Sequence, residues 1–159
     1  MKYINKEYSL ESLIKKIKLI KNYNNSIIGF TNGCFDLLHK GHKYSLREAK
    51  KRCDFLIVAV NSDVSIKLLK GNDRPIDNER IRLKNLTAIK DVDALIIFNE
   101  ETPLRIIDEL LPNILFKGAD YKYMEVIGAE SVIKNGGKVE FIDMVKGIST
   151  TNIINNSRI

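Results

Sequence analysis

Long apolar runs are missing from this 159-residue chain. Nothing approaches the ~18 consecutive apolar residues that a membrane-spanning helix needs. The N-terminus, MKYINKEYSLESL, is charged throughout and lacks the apolar core of a signal peptide. These two absences lead us to expect a cytoplasmic protein without a membrane partner. Cysteine is scarce as well. Cys34 and Cys53 are the only two, too few for a secreted disulfide framework and not at a metal-ligand spacing. There is no internal repeat, no low-complexity tract and no linker, so we expect a single domain over residues 1–159. Histidine is rarer than its chemistry would suggest: the two in the chain, His39 and His42, lie three residues apart.

Basic residues exceed acidic ones, 26 to 20, for a net charge of +6. Such a balance suits nucleic acid, an anionic surface or phosphate-bearing small molecules. The lysines are scattered, however, and no dense basic stripe with interleaved aromatics appears. We therefore expect no nucleic-acid partner and leave phosphate compounds open.

Apolar periodicity alternates regularly along the chain. Residues 9–23 read as an amphipathic helix capped by Ser9, with Leu10, Leu13, Ile14, Ile17 and Ile20 on one face. That face can serve the core or a partner copy. Short β-type runs follow at Ser26–Thr31, Phe55–Val60, Ala94–Phe98, Ile114–Lys117 and Val139–Asp143. Helical segments are expected near 41–52, 63–69, 78–90 and 123–135, with a last one starting near Ser149. Thr102-Pro103 reads as a cap followed by proline at the first helical position. Five strands alternating with helices, several of them apolar on both faces, predict an α/β fold with a doubly wound five-stranded parallel sheet. Ligands of such sheets bind beyond the carboxyl ends of the strands, at the point where strand order reverses.

The stretch FTNGCFDLLHKGH falls at the first of those strand ends. Gly33 allows close approach of a ligand to the backbone. Gly41 opens the next helix, whose N-terminus attracts anions. Three readings of this stretch compete. His39, His42, Cys34 and Asp36 form a partial zinc set. Cys34 with a histidine base forms a nucleophile pair. Two imidazoles beside a helix N-terminus form a phosphate clamp.

GCFDLLHKGH resembles the G-x-F-D-x-x-H-x-G-H signature of the cytidylyltransferase-like nucleotidyltransferases. Gly147-Ile148-Ser149-Thr150-Thr151 resembles that family's second signature. Over Ile27–Ile154, the segments TNGCFDLLHKGH, VAVNSD, LKGNDRP, NER, KGADY, the NGG turn and GISTTNII together are similar to the heptose-1-phosphate adenylyltransferases, a group often fused to a sugar kinase. Cys34 favours this group over the glycerol-3-phosphate cytidylyltransferases, which typically carry threonine there.

The resemblance implies a Rossmann-like fold and transfer of AMP from ATP to heptose 1-phosphate, with Mg²⁺ as the expected metal. A nucleoside triphosphate and a phosphorylated sugar would be the partners, and a homodimer is the expected assembly. His39, His42, Lys70 and Arg80 are its implied catalytic residues. Asn32, Gly33, Cys34, Phe35, Asp36, Gly41, Lys117, Gly118, Asp120, Ser149, Thr150 and Thr151 would meet the nucleotide. Asn61, Asp63, Arg74 and Tyr121 would meet the acceptor. Asp36 is also the candidate metal ligand, through water. An ionised phosphate nucleophile needs no general base, so this chemistry calls for in-line placement and for donors around the α-phosphate.

Overall fold

The computed structural model describes residues 4–121, 125–143 and 153–154. Its centre is a sheet of five strands, all parallel: β1 (Ile28–Gly33), β2 (Phe55–Asn61), β3 (Ala94–Phe98), β4 (Ile114–Gly118) and β5 (Lys138–Ile142). Their order is β3-β2-β1-β4-β5, which puts the reversal of strand order between β1 and β4. The helices are α1 (Leu10–Asn24), α2 (Lys40–Lys50), α3 (Asp63–Lys70), α4 (Glu79–Thr87), α5 (Leu104–Leu110) and α6 (Ala129–Lys134). This is the Rossmann-like arrangement that the alternating pattern predicts.

The buried apolar residues of the sheet divide between two layers, because side chains alternate across a strand. Leu56, Val58 and Val60 of β2 pack with Leu46 and Ala49 of α2 and Leu86 of α4. Ile57 and Ala59 face the other way, onto Leu13 and Ile17 of α1, Ile106, Ile107 and Leu110 of α5, and Val132 of α6. Burial on both faces explains why β2 reads as an unbroken apolar run. The apolar stripe of α1 is thus committed to the core at Leu13 and Ile17, while Leu19 and Tyr23 stay exposed.

The backbone of β1 passes close to the Cys53 side chain. A Cβ built on Gly29 would lie 2.7 Å from Cys53 Sγ and 2.7 Å from the Phe116 ring. Across the sheet, the free edge of β3 is covered by the N-terminal arm. Tyr8 N–H donates to the Leu95 carbonyl and Leu95 N–H to the Lys6 carbonyl. That contact closes an edge that would otherwise offer unpaired backbone groups.

Several boundaries differ from expectation. Ser9 does cap α1, accepting from Ser12 N–H. Pro103, expected at the first helical position of α5, is instead its N-cap, while Thr102 Oγ1, the expected cap, accepts from Leu104 N–H at 3.5 Å. The helix expected over 78–90 ends at Thr87. Of the helix expected over 123–135, residues 123 and 124 lie outside the described residues and 125–128 form no helix. Gly128, at φ +85°, leads into the six residues of α6. Gly136 ends that segment at φ +87°, as the Gly-Gly pair suggested. The final helix expected near Ser149 also lies outside the described residues, apart from Ile153 and Ile154.

Candidate active site

β1 delivers the histidine segment to the switch point. Pairing between β1 and β2 continues through Gly33↔Val60, whereas the pairing of β1 with β4 covers only Gly29↔Ile114 and Phe30↔Leu115. The carboxyl ends of β1 and β4 therefore extend beyond their shared ladder and leave a crevice. Lys117 Nζ spans it, donating to Asn32 Oδ1 at 2.6 Å. The same ammonium lies 5.6 Å from the centroid of the Tyr121 ring, a cation–π distance. Burial holds the Lys117 pKa below its ordinary value. Gly118, Asp120 and Tyr121 continue from this strand into a single 3-10 turn, Ala119–Tyr121, with Asp120 exposed.

After Gly33 the chain turns sharply. Phe35 and Leu37 both adopt positive φ, at 52° and 50°. Bulky residues avoid this region, so the loop holds strained backbone next to the histidines. Phe35 is buried, and its ring sits 5.4 Å from that of His42, tilted by 53°.

His39 and His42 are locked in a reciprocal cap of α2. His39 Nδ1 accepts from Gly41 N–H at 3.1 Å, and His42 Nδ1 accepts from His39 N–H at 3.2 Å. The rings stack with centroids 3.8 Å apart and planes 21° off parallel. Because each Nδ1 is an acceptor, each neutral imidazole carries its proton on Nε2. Burial lowers the His39 pKa. The His42 pKa is lowered to about 4, first by burial, then by the neighbouring His39 and Lys70. The site thus presents two neutral Nε2–H donors side by side at neutral pH. Lys70, the exposed last residue of α3, is close enough to act electrostatically on both His42 and Cys34.

These facts bear on the other two readings of the stretch. Burial raises the Cys34 pKa, keeping the thiol protonated, which disfavours a nucleophile. Both histidine Nδ1 atoms are taken by backbone N–H groups. The described residues contain no group of three or more His, Cys, Asp or Glu side chains arranged to hold a metal.

Asp36, the candidate metal ligand, has a different job. Its Oδ1 accepts from Asp77 N–H at 2.8 Å, and its Oδ2 from Ile76 N–H at 2.9 Å and Arg74 Nε at 3.1 Å. Burial alone would raise its pKa, but these hydrogen bonds outweigh it and hold the pKa below the ordinary carboxylate value. The carboxylate ties the histidine loop to the loop between α3 and α4. At least three of the carboxylate's acceptor positions are engaged in this way.

The arginine expected to act, Arg80, is exposed on the first turn of α4. It lines a surface pocket of about 460 Å³ with Asn5, Glu7, Ile81 and Lys84, none of which belongs to the histidine site. Arg82 is the arginine built into the site. It is fully buried, donating Nη1 to the carbonyls of Cys34 at 2.8 Å and Asn61 at 2.6 Å. Its Nη2 donates to Asp63 Oδ1 at 2.8 Å, and its Nε to the Asp77 carbonyl at 3.1 Å. One guanidinium thereby joins the ends of β1 and β2, the start of α3 and the loop before α4. The signal was in the helix phase. Arg82 lies four residues before Leu86, on the apolar face, and Arg80 does not.

Asn61 and Asp63, expected to meet the acceptor, are drawn into this network. Asn61 is buried, its amide donating to Ser65 Oγ at 2.9 Å, and Asp63 receives Arg82. Ser149, Thr150 and Thr151 lie outside the described residues.

Comparison with known proteins follows the same segments. The cytidylyltransferase-like family model matches residues 30–156. "Bifunctional protein HldE" of Granulibacter bethesdensis is 51% identical over 143 residues, 90% of this chain and 29% of that protein. The protein of the same name from Nitrobacter winogradskyi is 52% identical over 127 residues, 80% of this chain and 26% of its own length. The chain thus spans less than a third of these curated relatives. The crystal structure of a lipopolysaccharide core biosynthesis protein from Thermoplasma volcanium superposes with a TM-score of 0.62 and 32% identity, over 77% of this chain and 99% of that one. A pantothenate synthetase from Thermus thermophilus, 18% identical with a TM-score of 0.58, shares the fold over 94% of this chain and 67% of its own.

Proposed function

The chain belongs to the cytidylyltransferase-like family of nucleotidyltransferase enzymes, and from that premise we propose that it transfers AMP from ATP to heptose 1-phosphate, releasing pyrophosphate and forming ADP-heptose. The observation that carries this reading is the identity of 51–52% to the bifunctional relatives over 80–90% of this chain. The similarity to a solved lipopolysaccharide core biosynthesis protein supports the same reading. The extra length of the bifunctional relatives leaves room for the second activity that their name announces.

In this reading an ionised oxygen of the acceptor phosphate attacks the α-phosphorus of ATP. The new P–O bond forms as the bond to the β-phosphate breaks, and pyrophosphate departs. No proton has to be removed from the nucleophile, so no base is required. Charge spread over the equatorial oxygens in the loose transition state needs fixed donors. The Nε2–H groups of His39 and His42 meet that need as neutral donors. Their positions are set by the helix cap, so little reorganisation accompanies reaction. Lys70 adds positive charge beside His42 for the departing phosphates. Asn32, Gly33, Cys34, Phe35 and Gly41 line the strand end on the nucleotide side. Lys117, Gly118 and Asp120 border the nucleoside, Tyr121 faces the acceptor, and Ser149, Thr150 and Thr151 supply hydroxyls to the triphosphate. A divalent ion, Mg²⁺ as expected, would come with the triphosphate.

The test is a coupled pyrophosphate-release assay over a panel of nucleotides and sugar phosphates. Turnover with ATP and heptose 1-phosphate is the expected result. Silence on ATP with turnover of CTP and glycerol 3-phosphate would replace this reading with that of a cytidylyltransferase.

A further inference from the structure

The loop between α3 and α4 brings Arg74 beside Asp36, and its bonding there is incomplete. The side chain is 12% exposed, and Nε is taken by Asp36 at 3.1 Å. Nη2 is buried and meets no acceptor among the described residues. Native proteins rarely leave a buried charged donor without a partner, and such a group calls for an ion or a ligand. The surroundings indicate which kind. Lys70, Arg82 and Arg74 all act on the Cys34 thiol in the direction of positive charge, with Asp36 opposing them. Asp36 itself is already bonded to two backbone N–H groups. With Asp63 bound to Arg82, the three cations Lys70, Arg74 and Arg82 meet two carboxylates there, Asp36 and Asp63, and the remaining positive charge suits an anion with several acceptor oxygens.

Resting on the nucleotidyltransferase reading above, we propose that Arg74 Nη2 receives a phosphate oxygen of a substrate and that Asp36 is the positioning residue that aims it. A guanidinium is planar, so fixing Nε fixes the direction of both terminal nitrogens. Asp36 in turn is fixed by the N–H groups of Ile76 and Asp77. Since Asp36 lies three residues before His39 in the same strained turn, the phosphate receptor and the Nε2–H donors are set by one short segment. The oxygen can come from the nucleotide's triphosphate or from the acceptor's phosphate, and direct binding distinguishes the two.

The experiment is calorimetric titration of the full chain with ATP, with pyrophosphate and with a sugar 1-phosphate. Wild type is compared with Arg74→Lys and Arg74→Gln, each first shown to melt cooperatively. We expect the affinity for one ligand class to fall by at least about tenfold, as for loss of a charge-assisted hydrogen bond. A loss confined to ATP and pyrophosphate assigns the triphosphate, and a loss confined to the sugar phosphate assigns the acceptor. Asp36→Asn should weaken the same class and raise the KM of that substrate more than it lowers kcat, and Asp36→Glu should partly restore it. Unchanged affinity for all three ligands in folded Arg74 variants would overturn the proposal. If those variants do not fold, a wild-type crystal soaked with pyrophosphate or sugar phosphate decides. An oxygen within about 3.2 Å of Nη2 supports the proposal, and phosphate bound elsewhere overturns it. The binding and crystal arms require no turnover, so a different acceptor would leave the ATP and pyrophosphate arms intact, and only the KM-against-kcat split of Asp36→Asn depends on the acceptor proposed.

Discussion

Lys117 and Asn32 meet at 2.6 Å across the gap where β1 and β4 cease to pair. The ammonium is partly desolvated there, so its one close acceptor among the described residues matters. Asn32→Ala should destabilise the protein by about 1–3 kcal/mol, the cost of stranding a buried donor. Lys117→Met removes the donor along with its need, and should cost less stability while weakening nucleotide binding. Urea denaturation paired with ATP titration separates the two effects. Equal stability losses in both variants would mean that the pair acts through packing alone.

His39 and His42 are expected to act as hydrogen-bond donors in the transition state. His42→Ala should lower kcat by at least ~10²-fold. Steady-state assay of a folded variant with unchanged kcat would remove the histidine from the mechanism.

Both imidazoles should resist protonation. NMR titration of the two histidines should give a midpoint near 4 for His42 and one below 6.5 for His39. The stability consequence has a definite sign. Between pH 6.5 and about 4 the unfolded chain binds protons that the folded His42 refuses. Stability should therefore be full above pH 6.5 and decline as pH falls through that window. Denaturation midpoints measured from pH 7.5 downward should show this slope, and His42→Gln should flatten it.

The two arginines of α4 should behave oppositely. Arg82→Ala strands Asp63 and the carbonyls of Cys34, Asn61 and Asp77. A loss of at least ~3 kcal/mol is expected, together with most of the activity. Arg80→Ala should stay within about 0.5 kcal/mol of wild type. Thermal melting and initial rates of the pair would reverse the assignment if Arg80 proved the sensitive one.

Gly29→Ala should destabilise by about 1–3 kcal/mol, because the new methyl meets both Cys53 Sγ and the Phe116 ring. Adding Cys53→Ala relieves only one of the two clashes. The double variant should recover part of the loss, and full recovery would mean that Phe116 moves freely.

Much of this architecture was legible in the chain. The strands were found because burial on two faces leaves continuous apolar runs, as in Phe55–Val60, and the histidine segment because its spacing is distinctive. What escaped depends on distance. Asp36 looked available for a metal because its partners, Arg74, Ile76 and Asp77, lie about 40 residues away, as their separations of 38, 40 and 41 show. Arg80 was favoured over Arg82 because motif matching ignored which side of the helix faces the sheet. Pro103 was misjudged by one position, since proline fits both the cap and the first turn. Asn61 and Asp63 gave no sign that an arginine from the next helix would claim them.

The reciprocal histidine cap makes the opening turn of α2 out of the same groups that would handle phosphate. Catalytic side chains commonly burden a fold, and removing them often hardens it. Here each replacement would also unfasten a helix end and free a strained turn. A catalytically dead but sturdy version of this protein should therefore be sought at Lys70, which is exposed, and not at His39 or His42.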